Sequence, residues 1–377
     1  MAAEDKKIVV AGLVCVDVTP QFPHKNTRDF HELLQPGKVV GTKGITISAG
    51  GAVANTGLGI AKLGGSVHLM TKIGNDFLGD FLEREFKKYS VSSTILHTDQ
   101  GNTSYSIVLA VPGYDRIFLH DTGCNDCFSW RELDDQVIRE ACIFHFGYPQ
   151  SMRQFYQNGA KELIEMYRHI KELGTATSLD MAVAAPGGEA SRVNWCDAVK
   201  GVIPYVDIFL PSIEELSCAV DPAGFLELNK KAAEQKKSFA EVVSLEYVKE
   251  QAGRLMEWGG KIVLIKCGTQ GMFLKTASRE ALLEIGGGLT EAFENWGSQE
   301  IFMPCFEPEC VKSGTGAGDV SIAAFLLALQ RKYPLKRCVE LAAASGASCV
   351  ASYDALSNIP RLEELNYKIE QGWRRKI

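Results

Sequence analysis

Ser313-Gly314-Thr315-Gly316-Ala317-Gly318-Asp319 runs without a break into the apolar segment Val320 to Leu329. Loop glycines let backbone N–H groups converge, and the apolar segment predicts a helix whose positive dipole end lies behind them. Together they make a pocket for an anion, above all a phosphate or a phosphoryl group in transfer. Asp319 falls in the first helical turn, where a carboxylate is favoured and can act as general base for a substrate hydroxyl. Taken alone, the loop is equally well a tight turn and a capped helix start. The glycines are spaced GxGxG, not GxGxxG, which argues against a dinucleotide site and an oxidoreductase. No GxxxxGK[ST] sequence occurs, which excludes a P-loop.

A second glycine pair lies far upstream, in Gly50-Gly51-Ala52-Val53-Ala54-Asn55. Two glycines ahead of a small-residue helix allow a ligand to approach the backbone, and Asn55 offers both donor and acceptor to a polyol. Tight helix–sheet packing explains the same residues if the segment stands alone. Asp17, placed just past the first strand, falls at the edge of the sheet where hydroxyls could bind.

Between these motifs the chain alternates. Residues 7–14, KIVVAGLV, predict a buried first strand; Gly50 to about Gly65 a helix; Val67 to Ile73 a strand; and Leu78 to Tyr89 an amphipathic helix. From Cys142 onward CIFHFG, a helix ending near Leu173, TATSLDM, VDIFLPS and KIVLIKCG continue the rhythm, which predicts a mostly parallel sheet covered on both faces. Residues 103–119 carry two strand-like runs around Pro112-Gly113-Tyr114-Asp115, a hairpin signal. Together with residues 15–48, where Val39-Val40 and Ile45 to Ile47 suggest short strands, they break the rhythm and predict a small β subdomain over the ligand-binding edge of the sheet. Residues 221–240, with NKKAAEQKK, predict a solvated helix, and residues 276–300, with three consecutive glycines, a flexible insertion.

The chain has 377 residues, 46% hydrophobic and 23% charged, with a net charge of −6. That composition excludes disordered and collagen-like classes and supplies no basic surface for a nucleic acid. MAAEDKKIVVAG lacks the apolar core of a signal peptide, and Val320 to Leu329 falls short of the roughly 20 residues needed to cross a bilayer. A cytoplasmic protein without membrane or nucleic-acid partners is therefore expected. The 11 cysteines are scattered and odd in number, which favours free thiols. Cys124 and Cys127 have CxxC spacing, with His120 and His145 nearby, but no second pair completes a zinc site.

The motifs taken together resemble the ribokinase-like (PfkB) family of carbohydrate and nucleoside kinases over nearly the whole chain. VVAGLVCVD, GGAVAN, Gly74-Asn75-Asp76 with Gly79, HFG, SLDM, IKCGTQG, GTGAGD and the closing Ser357 to Pro360 occur in the family's order. The resemblance implies an α/β fold: a doubly wound, mostly parallel sheet with helices on both faces, plus a small β-sheet lid. It reads as one domain over residues 1–377, with the lid inserted from about 15–48 and 101–125. It also implies an enzyme that transfers the γ-phosphoryl group of ATP to a hydroxyl of a sugar or sugar derivative.

On the family pattern Asp319 is the base, and the amides of Gly316, Ala317 and Gly318 form the anion hole. Asp17, Gly50, Gly51, Asn55 and Arg116 line the acceptor site. Lys266, Gly268, Thr315, Gly316 and Gly318 border the nucleotide, and Glu215 helps to organise Mg2+, through water. Many members also dimerise through the lid, so a homodimer is expected. Two positions depart from the pattern. Ser313-Gly314 replaces Asp-Thr, removing a carboxylate that in many members helps to hold a monovalent cation, so K+ dependence is not expected to follow. Ser212 replaces the Asn of Asn-x-x-Glu. Two other readings share the fold: a nucleoside kinase, with Phe22, Tyr114 or Phe118 against the base, and a non-catalytic ligand-binding or regulatory member.

Overall fold

The computed structural model describes residues 6–23, 35–111 and 116–376. Its larger sheet joins β1 (Ile8–Gly12), β4 (Val67–Gly74), β5 (Ser92–Thr98), β8 (Ile143–Gly147), β9 (Ala176–Leu179), β10 (Ile208–Phe209), β11 (Ile262–Lys266), β12 (Gly271–Thr276) and β13 (Glu300–Pro304). Their order is β13-β12-β11-β10-β9-β8-β1-β4-β5, with every pairing from β5 to β11 parallel and the last two antiparallel. The smaller sheet has the order β3-β2-β6-β7, from β2 (Cys15–Pro20), β3 (Ile45–Gly50), β6 (Tyr105–Leu109) and β7 (Ile117–Asp121).

The central strands are apolar on both faces because both are covered. Val10, Leu69, Ile143 and Leu264 join one core with the buried Ala317–Gln330 and Leu335–Cys349 helices. Their neighbours Val9, Met70, Phe144 and Val263 join a second core on the other face, with Phe155, Leu163 and Tyr167 of the Arg153–Glu172 helix. β1 lies between β4 and β8, so the chain leaves the ends of β1 and β8 in opposite directions. That opens a crevice at the carboxyl ends of the strands. Close approach there needs glycine: a Cβ on Gly12 would lie 2.7 Å from the Gly147 carbonyl.

The lid strands alternate cleanly. Asp17 stands opposite Ser48 and Ser106, and Ser106 opposite His120, on one face; Val18 stands opposite Ile47 and Ile107, and Ile107 opposite Leu119, on the other. One face of the lid is polar and the other apolar. The hairpin tip Pro112–Asp115, with Tyr114, lies outside the described residues.

Three expectations need correction. Asp17 is not a loop residue at the edge of the main sheet but part of lid strand β2. Val39 and Val40 form no strand, since no neighbouring strand pairs with them, and Val39 is exposed. Residues 276–300 are packed rather than loose: Leu282, Ile285, Leu289, Phe293 and Trp296 are all buried, and the Phe293 and Trp296 rings meet edge to face at 5.3 Å. The glycines there serve contact, since a Cβ on Gly286 would lie 2.3 Å from the Gly174 carbonyl. The Pro222–Gln235 helix is largely solvated, with only Ala232 buried. No helix among the described residues is long and apolar enough to cross a membrane.

Candidate active site

The glycine loop begins with a turn that its own side chains hold. Ser313 Oγ donates to Thr315 Oγ1 at 2.9 Å and accepts from the Thr315 amide at 3.1 Å. The chain then enters the Ala317–Gln330 helix through Gly316, at φ 73°, a left-handed conformation in which a Cβ would lie 2.2 Å from that of Ala355. Glycine is required there on both counts. The helix start leaves its first amides without carbonyls of a preceding turn. The Ala317 amide nevertheless donates to the Gly314 carbonyl at 3.2 Å, so Gly316 and Gly318 supply the freer donors.

Asp319 stands in that first turn, 3% exposed. Tyr148 donates from its hydroxyl to Oδ1 at 2.7 Å, and Asn55 donates from Nδ2 to Oδ2 at 3.0 Å. Burial raises its pKa against the pull of Tyr148, Lys266 and Asn55, and Glu215 raises it further, to about 6. A carboxylate so placed is ionised at neutral pH yet basic enough to take a proton.

Asn55 reaches Asp319 from the helix that follows β3, whose first turns Val53–Leu58 are π-wound and wholly buried. Gly50 and Gly51 permit the approach. Gly51 has φ 80° with a Cβ position 2.7 Å from Leu13 Cδ2 and from the Leu13 carbonyl, and a Cβ on Gly50 would lie 2.2 Å from Asp17 Oδ2. Asp17 itself is buried on the polar face of the lid, where Cys15 Sγ donates to its Oδ1 at 3.4 Å. Burial lifts its pKa to about 6, against hydrogen bonds from Cys15 and Ser106 and with a push from the Asp319 charge. The second side of the site thus presents hydroxyls and a carboxylate, the groups that sort polyols.

Lys266, expected at the nucleotide border, stands at the end of β11. Its ammonium donates to Asp180 Oδ1 at 2.7 Å and lies 3.5 Å from where a Cβ of Gly318 would be. Burial pulls its pKa down, but the charges of Asp180, Glu215 and Asp319 outweigh that and hold it protonated. Glu215 closes a capping box with Ser212, accepting from the Ser212 amide at 2.6 Å while Ser212 Oγ accepts from the Glu215 amide. Arg116 leads into lid strand β7, and its guanidinium lies 3.5 Å from Thr315 Oγ1, so the lid reaches the glycine loop. Gly268, at φ 53°, turns the chain from β11 into β12 beside Ala240.

The structure therefore gathers Asp319, Asn55, Lys266, Glu215 and the glycine loop, with Asp17 and Arg116 brought in by the lid. Two members were missed in the sequence. Asp180 sits in the SLDM run and was read as strand, and Tyr148 follows HFG without any spacing that singles it out. Among the described residues no group of three or more His, Cys, Asp or Glu is arranged to hold a metal ion. All 11 cysteines are free, and Cys124 and Cys127 donate to the carbonyls of Lys72 and Cys124.

Known proteins resemble this chain along nearly its whole length. The profile described as pfkB family carbohydrate kinase matches residues 5–362. A 5-dehydro-2-deoxygluconokinase of Clostridium perfringens is 24% identical over 378 residues, covering 97% of this chain and 93% of its own. Among solved structures, Arabidopsis thaliana ribokinase complexed with ribose and ATP aligns with a TM-score of 0.67 at 19% identity, covering 96% of this chain and 98% of its own. An E. coli protein solved with ATP and Mg2+ aligns with a TM-score of 0.67 at 20% identity, covering 97% and 99%.

Proposed function

Because the chain belongs to the pfkB family of carbohydrate kinases, a family of phosphotransferases acting on sugar hydroxyls, we propose that it moves the γ-phosphoryl group of ATP to a hydroxyl of a sugar or sugar derivative, with Asp319 as general base. The observation that carries this is the placement of Asp319. A buried carboxylate of pKa about 6 stands at the mouth of a glycine-opened helix, facing the polar side of a lid.

The acceptor hydroxyl gives its proton to Asp319 as its oxygen bonds to the γ-phosphorus and the bond to the ADP oxygen breaks. The Gly316 and Gly318 amides, with Ala317 behind them, receive the charge on the transferring group, and Lys266 and Arg116 offset it. Asp17, Gly50, Gly51 and Asn55 orient the acceptor. Thr315 and Gly268 belong to the nucleotide side. Lid closure keeps out water, which would compete as acceptor.

The donor set fits Mg2+ held mainly by phosphate and water. Hard carboxylate oxygens of Glu215 and Asp180 flank the pocket without forming a dedicated cage. Bound there, the ion would neutralise phosphate charge. Potassium is not required in this reading, since the loop is already tied by Ser313 Oγ to Thr315 and by Cys349 Sγ to the carbonyls of Thr315 and Ala355, each at 3.4 Å. Equal rates in potassium and choline salts would bear that out.

A nucleoside acceptor has one feature in its favour: Phe118 is 48% exposed beside Val108 on the lid. A purely regulatory role is disfavoured because Ser212 and Ser313 still cap and brace the elements they belong to. Assembly through the lid fits its apolar face, where Ile45, Ile47, Ile117 and Leu119 are exposed and β3 and β7 are sheet edges. Light scattering on wild type and Leu119→Lys tests it: a dimer that becomes a monomer supports a lid interface. The function itself is tested by ADP release with Mg-ATP over a panel of ketoses, aldoses, sugar acids and nucleosides.

A further inference from the structure

Tyr148 occupies a conformation that its residue type does not favour. It follows the last residue of β8 at φ 67° and ψ 45°, left-handed, and it precedes Pro149, which biases the residue before it toward extended backbone. The residue before it is closely packed as well, since a Cβ on Gly147 would lie 2.3 Å from Ala52 Cβ. Backbone strain of this kind persists where surrounding contacts over-determine it, and it concentrates at working sites. Here the contact that the strained residue makes is the 2.7 Å hydrogen bond from its hydroxyl to Asp319 Oδ1.

Resting on the reading of Asp319 as base, we propose that Tyr148 is a positioning residue, whose hydroxyl holds the Asp319 carboxylate ionised and turns its remaining lone pairs toward the acceptor. The surroundings require such a donor. Asp319 is faced by Asp17 from β2, Asp180 after β9 and Glu215 from the Ile213–Val220 helix, all of which oppose its charge. The thiols of Cys15 and Cys349 also feel it. Among the described residues Lys266 favours ionisation but is itself committed to Asp180, while Arg116 reaches the glycine loop at Thr315. Two neutral donors complete the balance, Tyr148 on one oxygen and Asn55 on the other. The phenol keeps its own proton, because burial and the Asp319 charge push its pKa well up. In the transfer step the proton therefore leaves the acceptor oxygen and ends on Asp319, while Tyr148 only donates a hydrogen bond.

Infrared titration of the full chain tests this without any acceptor. Subtracting spectra of Asp319→Asn isolates the Asp319 carboxyl band, and its midpoint is compared between wild type and Tyr148→Phe. A hydrogen bond to a charged group corresponds to a shift of roughly one to two pH units. The Tyr148→Phe midpoint should therefore rise by about that much, with the acid limb of kcat moving with it and the KM for Mg-ATP unchanged. A purely structural role would lower the melting temperature and leave the midpoint in place. An unmoved midpoint in folded Tyr148→Phe overturns the inference whatever the kinetics. Asp319→Asn releasing ADP as fast as wild type overturns the base reading, and the positioning role with it.

Discussion

Asn55 Nδ2 donates to Asp319 Oδ2 at 3.0 Å, a bond between residues 264 positions apart. It fastens the two glycine motifs to each other: the helix after Gly50-Gly51 presents the donor, and the helix after Gly316 presents the carboxylate. Asn55→Ala should lower kcat about ten- to hundred-fold, because Asp319 keeps only the Tyr148 hydroxyl and loses its aim. A variant of unchanged kcat would show that the contact is packing alone.

Gly316 and Gly314 should differ sharply as alanines. At Gly316 the positive φ and the Ala355 contact leave no room, so Gly316→Ala should abolish most activity and cost roughly 1–3 kcal/mol of stability. At Gly314 the nearest obstacle is the end of the Arg116 side chain, 3.1 Å from the Cβ position, which can swing away. Parallel melting curves and ADP-release assays distinguish the two.

How much of this was legible in the sequence depends on where each constraint lies. The Ser313–Asp319 and Gly50–Asn55 segments carry their constraints locally, above all in Gly50, Gly51 and Gly316 where no Cβ fits, and so could be read. Tyr148 and Asp180 could not. Their meaning comes from partners 171 and 86 residues away, and a Tyr or Asp at a strand end has no distinctive spacing. The lid was recognisable by hairpin chemistry and broken rhythm, and its bounds took in Asp17, but the sequence does not show that Asp17 lies in a strand, because β1 and β2 are separated by only two residues. Residues 276–300 misled through their glycines. The apolar series Ile285, Leu289, Phe293 and Trp296 was the better signal, since it is what docks the segment.

Lys266→Met should leave Asp180 buried without its cation. Breaking a buried pair from one side costs roughly 3–5 kcal/mol. Adding Asp180→Asn should recover part of that loss while Mg-ATP binding stays weak. Denaturant curves on the two single variants and the double variant check it, and strict additivity would contradict the pairing.

Asp17 links the site to stability. Its pKa is raised in the folded chain, from 3.8 to about 6, so the native state holds the proton more tightly than the unfolded chain does. That contribution is complete below about pH 4 and is lost as pH rises through 6. Asp17→Asn should therefore be more stable than wild type at pH 8, by up to about 3 kcal/mol, with the gap closing toward pH 4. Acceptor affinity should fall at the same time. A gap that widens as pH falls would reverse the sign and refute this account of Asp17.

The central claim is phosphoryl transfer with Asp319 taking the proton. The most direct measurement is ADP release from Mg-ATP across the sugar and nucleoside panel, with Asp319→Asn beside wild type and ATP binding measured on both. The account predicts release that depends on a sugar, declines below about pH 6, and falls roughly a hundred- to ten-thousand-fold in Asp319→Asn with ATP binding retained. Sugar-dependent release at an undiminished rate in Asp319→Asn would contradict it.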